Sequence, residues 1–338
     1  MAQPGTIGVF SQGEVLGDAL YKLVFLRGLR AAFPAARITW LTVEATAYAG
    51  PLAPVAGPPL LDEVAERCGL DQTPRGLFRA PPRGLGPFDL LLDTQSMLLR
   101  TLVLRRVPHG RFLSAALMRR GPGGAAIGPH ALDRLLALVE VAAGRAVPRD
   151  LSPVALPPAL REAAAAALPG EGGTRIALAP GAGRPDKAWP VERYVALAER
   201  QAARGRIPVF LLGPQEAAWR ARIAAAVPGA LFPEEHPAFA ALLPEAGPKP
   251  LRAVAVAARC AAGVANDAGG GHMIAAAGIP LLSLFGPTRP EKFRPVAARW
   301  ALVRAQDFGG AEMARIPLPA VEAALEGLLP LDPPPRPG

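Results

Sequence analysis

Short apolar runs alternate with longer helical patterns along the first half of the chain. The apolar segment TIGVF (6–10) precedes a helical pattern over 19–33, and the strand pattern RITWLTV (37–43) follows it. FDLLLD (88–93) and a helical pattern over 96–106 form a second pair. Buried strands that alternate with helices are typical of a parallel sheet covered by helices, so this half is predicted to be an α/β domain.

The second half repeats this alternation after a stretch rich in Pro, Ala and Gly. The strand patterns are RIALAP (175–180), IPVFLLG (207–213), AAGVAND (261–267) and PLLSLFG (280–286), and the helical patterns cover 189–205, 214–227, 250–260 and 270–278. The fold class is therefore predicted to be α/β, with two Rossmann-like, doubly wound parallel sheets that face a cleft. In such sheets, ligands bind beyond the carboxyl ends of the strands.

Composition between the two halves indicates where one domain ends. Residues 144–174 contain clusters of Pro, one short Ala-rich helical pattern and a Gly-rich exit, a composition that suits an interdomain linker. We predict an N-terminal domain over 1–150, a linker over 151–174 and a C-terminal domain over 175–328. The Pro-rich end, 329–338, is predicted to be a disordered tail.

The overall composition indicates a globular protein in a reducing compartment. The chain has 338 residues, of which 51% are apolar, so it can bury two cores and does not resemble a disordered protein. Cys68 and Cys260 are its only cysteines, which favours a reducing compartment. No run of about eighteen apolar residues predicts a membrane span, and no signal peptide is evident. We predict a cytoplasmic protein.

Part of the net charge of +9 is concentrated in one stretch of the chain. No acidic residue lies between Asp93 and Asp133, where the arginines are Arg100, Arg105, Arg106, Arg111, Arg119 and Arg120. This stretch either faces anionic lipid headgroups or an acidic acceptor, or it is a solvated helix face. It has few aromatic residues for stacking on bases, so nucleic acid is not a predicted partner.

The loop SQGEVLGD (11–18) follows the first predicted strand and carries Gly17 and Asp18. Asp18 stands at the start of a predicted helix, where Asp commonly caps the N-terminus. The alternative is a carboxylate aimed into the cleft as a general base. The loop lacks a GxGxxG motif, so an NAD-dependent dehydrogenase with Glu44 as its ribose-binding acid is disfavoured.

Two loops of the second half suit a nucleotide. In APGAGRPDKAWP (179–190), Gly181 and Gly183 expose backbone N–H groups and Lys187 adds a positive charge, as a pyrophosphate site requires. Lys187 as a simple surface lysine is the alternative. Glu216 follows another strand, where a carboxylate can bind both hydroxyls of a ribose, or can serve as an acid in the first turn of a helix.

The segment VANDAGGGHM (264–273) places an acid, three glycines and an imidazole at the end of a strand pattern. A helix that begins at these glycines would offer its free N–H groups and its dipole to a phosphate. Asp267 comes before the glycines, and His272 could donate to a phosphate or a sugar hydroxyl. His272 packed between helices is the alternative.

Taken in order, these segments resemble glycosyltransferase family 9, the ADP-heptose:lipopolysaccharide heptosyltransferases, which have the GT-B fold. The matching segments are LGDALYKLVFLRGLRAAFPAARITWLT, IALAPGAGRPDKAWPVERYVALAERQAARG, LLGPQE and VANDAGGGHMIAAAGIPLLSLFGPTRPEKFRP, with FDLLLDTQSMLLRTLVLRR as a weaker match. The resemblance covers nearly the whole chain and is most specific in the C-terminal half.

The resemblance implies an inverting, metal-independent transfer of a sugar to a lipopolysaccharide-core or similar glycan acceptor. The implied sugar is heptose, and its implied donor is ADP-heptose. It implies that Asp18 is the general base, and it implies no cofactor. The donor site it implies comprises Gly181, Ala182, Gly183, Lys187, Glu216, Asp267, Ala268, Gly269, Gly270, Gly271 and His272. The expected acceptor-side residues are Gly17, Gln95, Arg105 and Arg106.

The expected partners are a nucleotide-sugar donor and an anionic glycolipid or glycan acceptor. A peripheral contact with the inner face of the cytoplasmic membrane stays open. A non-catalytic relative that binds sugar nucleotides also stays open, because the family commonly has Thr, Pro and Met or Ser where this chain has Ala268, Gly270 and Gly271.

Overall fold

The computed structural model describes residues 3–169, 173–242 and 249–329. Its strands are β1 (Thr6–Ser11), β2 (Arg37–Thr42), β3 (Glu63–Ala65), β4 (Phe88–Asp93), β5 (His109–Ser114), β6 (Arg175–Ala179), β7 (Ile207–Phe210), β8 (Ala262–Asn266), β9 (Leu281–Phe285) and β10 (Trp300–Arg304). The predicted disordered tail lies outside the described residues from position 330 onwards.

The helices pack around these strands. They are α1 (Leu16–Ala32), α2 (Ala53–Ala56), α3 (Leu98–Leu104), α4 (Ala131–Ala143), α5 (Pro158–Ala167), α6 (Val191–Ala203), α7 (Trp219–Ala226), α8 (Pro237–Ala240), α9 (Lys249–Ala257), α10 (Gly269–Ala276), α11 (Pro290–Phe293) and α12 (Leu318–Leu328). Within the described part of the chain, no helix has both the length and the apolar character that crossing a bilayer requires.

Contacts divide the chain into two compact units. The first comprises Met1–Asp150 with Glu291–Phe293, and the second comprises Leu151–Pro290 with Arg294–Gly338. The helix α5, inside the segment predicted to be a linker, packs against α8 and α9 of the second unit.

The first unit contains a five-stranded parallel sheet in the order β3-β2-β1-β4-β5. Its central strand β1 is almost fully buried, because helices cover both faces of a parallel sheet. Phe10, Leu41 and Leu91 contribute to the core from three strands. The chain reverses its direction of winding between β1 and β4, so their carboxyl ends form the expected ligand position of this unit.

The second unit contains a five-stranded parallel sheet in the order β10-β9-β8-β6-β7. Ile176, Val264 and Leu282 lie in its core with Trp189 and Tyr194, whose rings meet edge to face with centroids 5.1 Å apart. The winding reverses between β6 and β8, and the ligand position is expected at their carboxyl ends. The predicted pair of doubly wound parallel-sheet domains is confirmed.

Several elements differ from the sequence-based expectation. The helix predicted over 214–227 begins only at Trp219, because residues 214–218 form turns. The sequence analysis did not predict the edge strands β3, β5 and β10. All three are only partly buried, so polar and small side chains interrupt the apolar pattern that identifies the central strands.

Candidate active site

An ion pair joins the carboxyl ends of β6 and β8 in the second unit. Lys187 lies in a short 3₁₀ turn after β6, and its Nζ is 2.7 Å from Oδ2 of Asp267, the residue that follows β8. The side chain of Lys187 is 22% exposed and that of Asp267 is 8% exposed. Thr288 Oγ1 donates to the same carboxylate oxygen at 2.5 Å. Lys187 is therefore not a simple surface lysine.

The buried residue Asn266 fixes the two loops that carry this ion pair. Its Nδ2 donates to the carbonyl of Pro180 at 2.8 Å, and its Oδ1 accepts from the backbone N–H of Trp189 at 3.1 Å and from the hydroxyl of Tyr194 at 3.2 Å. Asn266 thereby holds both ends of the loop that contains Lys187. The sequence analysis named Asp267 as a candidate but gave the neighbouring Asn266 no role.

Glu216 lies over the glycine-rich loop after β6. It is 7% exposed, and a Cβ atom added to Gly181 would lie 2.9 Å from its carboxyl carbon. A Cβ atom at Gly213 would lie 2.6 Å from its Oε2. Both glycines therefore leave room for this carboxylate. Glu216 precedes α7, which begins at Trp219, so it is not an acid in the first turn of that helix.

The three consecutive glycines begin α10, as predicted. The N-cap residue of this helix is Ala268, whose side chain makes no capping hydrogen bond. Such a helix start leaves the backbone N–H groups of Gly269 and Gly270 available to an anion, whereas the N–H of Gly271 donates to the carbonyl of Ala268 at 3.1 Å. Gly270 packs against β6, since a Cβ atom there would lie 2.7 Å from Cβ of Ala179. His272 lies in the first turn, beside these groups.

The remaining residues of the predicted phosphate loop, Ala182 and Gly183, lie between β6 and the turn that carries Lys187. Gly183 is exposed, and nothing lies within 4 Å of the position that its Cβ would occupy. In the second unit, the structure thus brings together Gly181 with Glu216, and Lys187 with Asp267.

In the first unit, Asp18 occupies the first turn of α1 at the carboxyl end of β1. The N-cap residue of α1 is the exposed Val15, which makes no side-chain cap, so the N-cap interpretation of Asp18 is wrong. Burial raises the pKa of Asp18 above its ordinary value; Lys22 lowers it and Glu14 raises it further. A partly buried carboxylate with a raised pKa, beside Gly17 in the first turn of α1, can act chemically as a general base.

Gln12 is the centre of a polar cluster beside this loop. Its Nε2 donates to Glu44 Oε1 at 2.6 Å, and its Oε1 accepts from Arg100 at 2.8 Å and from Gln95 Nε2 at 3.3 Å. The cluster joins the ends of β1, β2 and β4. Of these residues only Gln95 was expected on the acceptor side, so the sequence interpretation missed Gln12 and Arg100.

Arg105 and Arg106, also expected on the acceptor side, follow the last turn of α3. A helix of this length spans roughly 10 Å, which separates them from Gln95 at its other end. Arg106 donates to the carbonyl of Leu77, and Arg105 is exposed. Arg100, rather than these two arginines, reaches the end of β1.

Comparison with protein families gives a match to a family model. The model of "Glycosyltransferase family 9 (heptosyltransferase)" matches residues 88–315, which include the donor-side residues described above. Among curated proteins, the chain is similar to lipopolysaccharide heptosyltransferase 1 of Pseudomonas aeruginosa. The two are 30% identical over 292 residues, which cover 81% of this chain and 77% of that protein.

Solved structures share the fold over nearly the whole chain. A glycosyl transferase family 9 structure from Veillonella parvula has a TM-score of 0.67 and 18% identity, covering 96% of this chain and 97% of that one. The E. coli heptosyltransferase WaaC with ADP has a TM-score of 0.66 and 19% identity, covering 95% and 99% of the two chains. These similarities confirm the predicted GT-B fold.

Proposed function

We propose a reaction from one premise: the chain belongs to glycosyltransferase family 9 and is therefore a glycosyltransferase. The family resemblance predicted from the sequence is thereby confirmed. The proposed reaction is the transfer of heptose from ADP-heptose to a lipopolysaccharide-core or similar glycan acceptor. It proceeds with inversion at the anomeric carbon and without a metal ion. The NAD-dependent dehydrogenase considered above is not supported by this family membership.

The observation that carries the proposal is the Lys187–Asp267 ion pair beside the start of α10. A diphosphate bound there would receive hydrogen bonds from the Lys187 ammonium group and from the backbone N–H groups of Gly269 and Gly270 at the start of α10. These groups would stabilise the negative charge that develops on the departing ADP, the task that a divalent cation performs in other transferases. The ADP in the WaaC structure supports an adenine nucleotide as the leaving group.

Asp18 is the proposed general base. Its carboxylate would take the proton from the acceptor hydroxyl as that oxygen attacks the anomeric carbon of the donor. Attack on the face opposite the departing ADP inverts the configuration. A base works only when deprotonated, so activity should fall as the pH drops through the raised pKa of Asp18.

Glu216 is the proposed ribose ligand, because a carboxylate can accept hydrogen bonds from both ribose hydroxyls. Gly181→Ala is expected to weaken ADP binding about tenfold, since the new methyl group would displace the Glu216 carboxylate. Gly229→Ala, outside this loop, is the matched control and should bind ADP as wild type does, because its methyl group meets open space. Calorimetric titration with ADP measures both. Equal affinity in the two variants would remove Glu216 from the ribose site.

The reaction itself is tested with purified protein, ADP-heptose and a heptose-deficient lipopolysaccharide acceptor, with and without EDTA. We expect ADP release and a glycosylated acceptor in both conditions, and NMR of the new linkage should show the inverted anomeric configuration. Loss of activity in EDTA that Mg²⁺ restores would contradict metal independence. Donor binding without any transfer would favour the alternative of a non-catalytic relative that binds sugar nucleotides.

A peripheral contact with the membrane is also part of the proposal, because a glycolipid acceptor lies in a bilayer. The first unit exposes large apolar side chains near α3: Phe78 is 87% exposed, Met97 52%, Leu98 58% and Leu102 43%. Leu98, Leu102 and Arg105 follow one another at helical spacing, so apolar and cationic groups share a face. The stretch between Asp93 and Asp133 adds arginines without acids. Such a surface is complementary to anionic phospholipid.

The membrane contact predicts binding to vesicles that contain phosphatidylglycerol, weakened by salt and by the absence of anionic lipid. The double variant Phe78→Ser with Leu98→Ser should bind at least about tenfold more weakly, because each apolar side chain contributes roughly 1.5 kcal/mol or more when fully buried. Phe308→Ser, which changes an exposed aromatic residue of the second unit, is the matched control. Co-sedimentation measures both; equal binding by the two variants would contradict the assigned surface.

A further inference from the structure

A buried ion pair lies beside the turn that carries Asp18. Glu14, in the loop after β1, and Lys22, on α1, approach to 2.9 Å between Oε1 and Nζ. The side chain of Glu14 is 0% exposed and that of Lys22 is 11% exposed. A lysine on the buried face of a helix is unusual, because Lys is almost never fully buried unless it is paired.

Further hydrogen bonds hold both members of the pair. The second carboxylate oxygen of Glu14 accepts from Trp40 Nε1 at 3.1 Å and from Thr46 Oγ1 at 2.6 Å. Lys22 Nζ also donates to Ser11 Oγ at 3.1 Å. The pair therefore joins the end of β1, the core strand β2 and α1, and it fixes the loop from which the first turn of α1 begins.

Stability alone does not explain such a pair. Well-packed apolar residues often replace a buried ion pair with no loss of stability, because removing two charges from water is costly. The pair also lies close to Asp18 along the chain. Asp18 follows Glu14 by four residues and precedes Lys22 by one helical turn. The Lys22 cation favours the charged form of Asp18, and the Glu14 carboxylate disfavours it.

The two tyrosines near Asp18 stay neutral near pH 7, and a histidine packs against one of them. Burial raises the pKa of Tyr21, on α1, and of Tyr48, after β2, well above the ordinary value, and the charge of Asp18 contributes to both shifts. His130, the N-cap of α4, packs edge to face against Tyr21 with ring centroids 5.9 Å apart. Burial alone would raise the pKa of Glu14, yet Lys22 and the hydrogen bonds hold it below its ordinary value, so Glu14 stays charged.

We propose that Glu14 and Lys22 are positioning residues for the base: they pin the first turn of α1 that presents Asp18 and place two opposite charges beside it. The inference rests on the proposed role of Asp18 as general base. Neither residue contacts the substrate in this account. Together they fix the position of Asp18 and place opposite charges beside it. Without Lys22 the pKa of Asp18 would rise, and without Glu14 it would fall.

The test is the pH dependence of kcat/KM for sugar transfer in isosteric variants. Glu14→Gln removes a negative charge and keeps the packing, so the acid limb should move to lower pH by on the order of one unit. Lys22→Met removes the positive charge, so the acid limb should move to higher pH by a similar amount. The double variant should return close to the wild-type profile, because it removes a neutral pair.

Asp62→Asn is the matched control. Asp62 pairs with Arg30 in the last turn of α1, 2.7 Å apart, so this variant loses an ion pair on the same helix but far from Asp18. It should leave the acid limb unmoved. NMR titration of the Asp18 carboxyl group, which needs no activity, should show the same opposite shifts, and thermal unfolding verifies that each variant is folded.

Shifts of both single variants in the same direction, or no shift in folded variants, would overturn the inference. That failure is distinct from failure of the proposed function. If Asp18 is not the base, Asp18→Asn stays active, whatever the charge variants do. If Asp18→Asn is inactive and the charge variants titrate as wild type does, only the positioning role of Glu14 and Lys22 is wrong.

Discussion

Asp18→Asn is expected to lower kcat by about 10²- to 10⁴-fold, the usual contribution of a general base. Asn has nearly the same shape as Asp, so the first turn of α1 should persist, but its amide cannot take a proton from the acceptor hydroxyl. ADP contacts groups of the second unit in this account, so its dissociation constant should not change. Steady-state kinetics measures the first quantity and calorimetric titration the second.

The control for this variant is Asp62→Asn, which makes the same chemical change in a residue that pairs with Arg30 near the other end of α1, and it should keep wild-type kcat. A further expectation is that Asp18→Asn loses the acid limb of the pH profile, because the group that titrates is gone. Undiminished transfer by Asp18→Asn, with donor binding intact, would show that another residue is the base.

Lys187→Met is expected to lower kcat/KM by about 10²- to 10³-fold, as the loss of a group that stabilises developing charge typically does. The Lys187 ammonium is the cation paired to Asp267 at 2.7 Å, so its removal also leaves a mostly buried carboxylate with Thr288 as its remaining described partner. We therefore also expect a loss of about 1 to 3 kcal/mol in unfolding free energy, measured by denaturant titration.

Calorimetry with two ligands separates the phosphate contact from general damage to the fold. ADP should bind Lys187→Met more weakly than wild type, whereas adenosine, which has no phosphate, should bind both equally. Arg184→Met is the matched control: Arg184 lies in the same loop, but its side chain is 66% exposed and pairs with Asp186. An equal loss for ADP and adenosine would show that Lys187 supports the loop and does not bind the diphosphate.

Local pattern predicted which loops carry the candidate site, because parallel sheets place their polar loops at the carboxyl ends of apolar strands. Asp18, Lys187, Glu216 and Asp267 each follow such a strand. The direct contact of Lys187 with Asp267 could not be predicted from that pattern. The two residues lie 80 positions apart, and they meet because β6 and β8 are neighbours in the sheet.

Other features depend on contacts that no local pattern encodes. Gln12 and Arg100 gain their roles from the neighbouring ends of β1, β2 and β4. The Glu14–Lys22 pair breaks the apolar pattern of a buried helix face, so residue types alone predict a solvated lysine there. The same limit applies to the arginines after β4, because sequence could not show that Arg100 turns towards β1 while Arg106 bonds to Leu77.

The central claim is that the second unit binds ADP as the leaving group of sugar transfer. A thermal-shift measurement with ADP, UDP, GDP and NAD tests it most directly. We expect ADP at a hundredfold excess over its dissociation constant to raise the unfolding temperature by about 5 °C or more, with much smaller effects of the other three. Stabilisation by UDP or GDP without ADP would contradict the ADP-heptose donor. Stabilisation by NAD alone would contradict the transferase site.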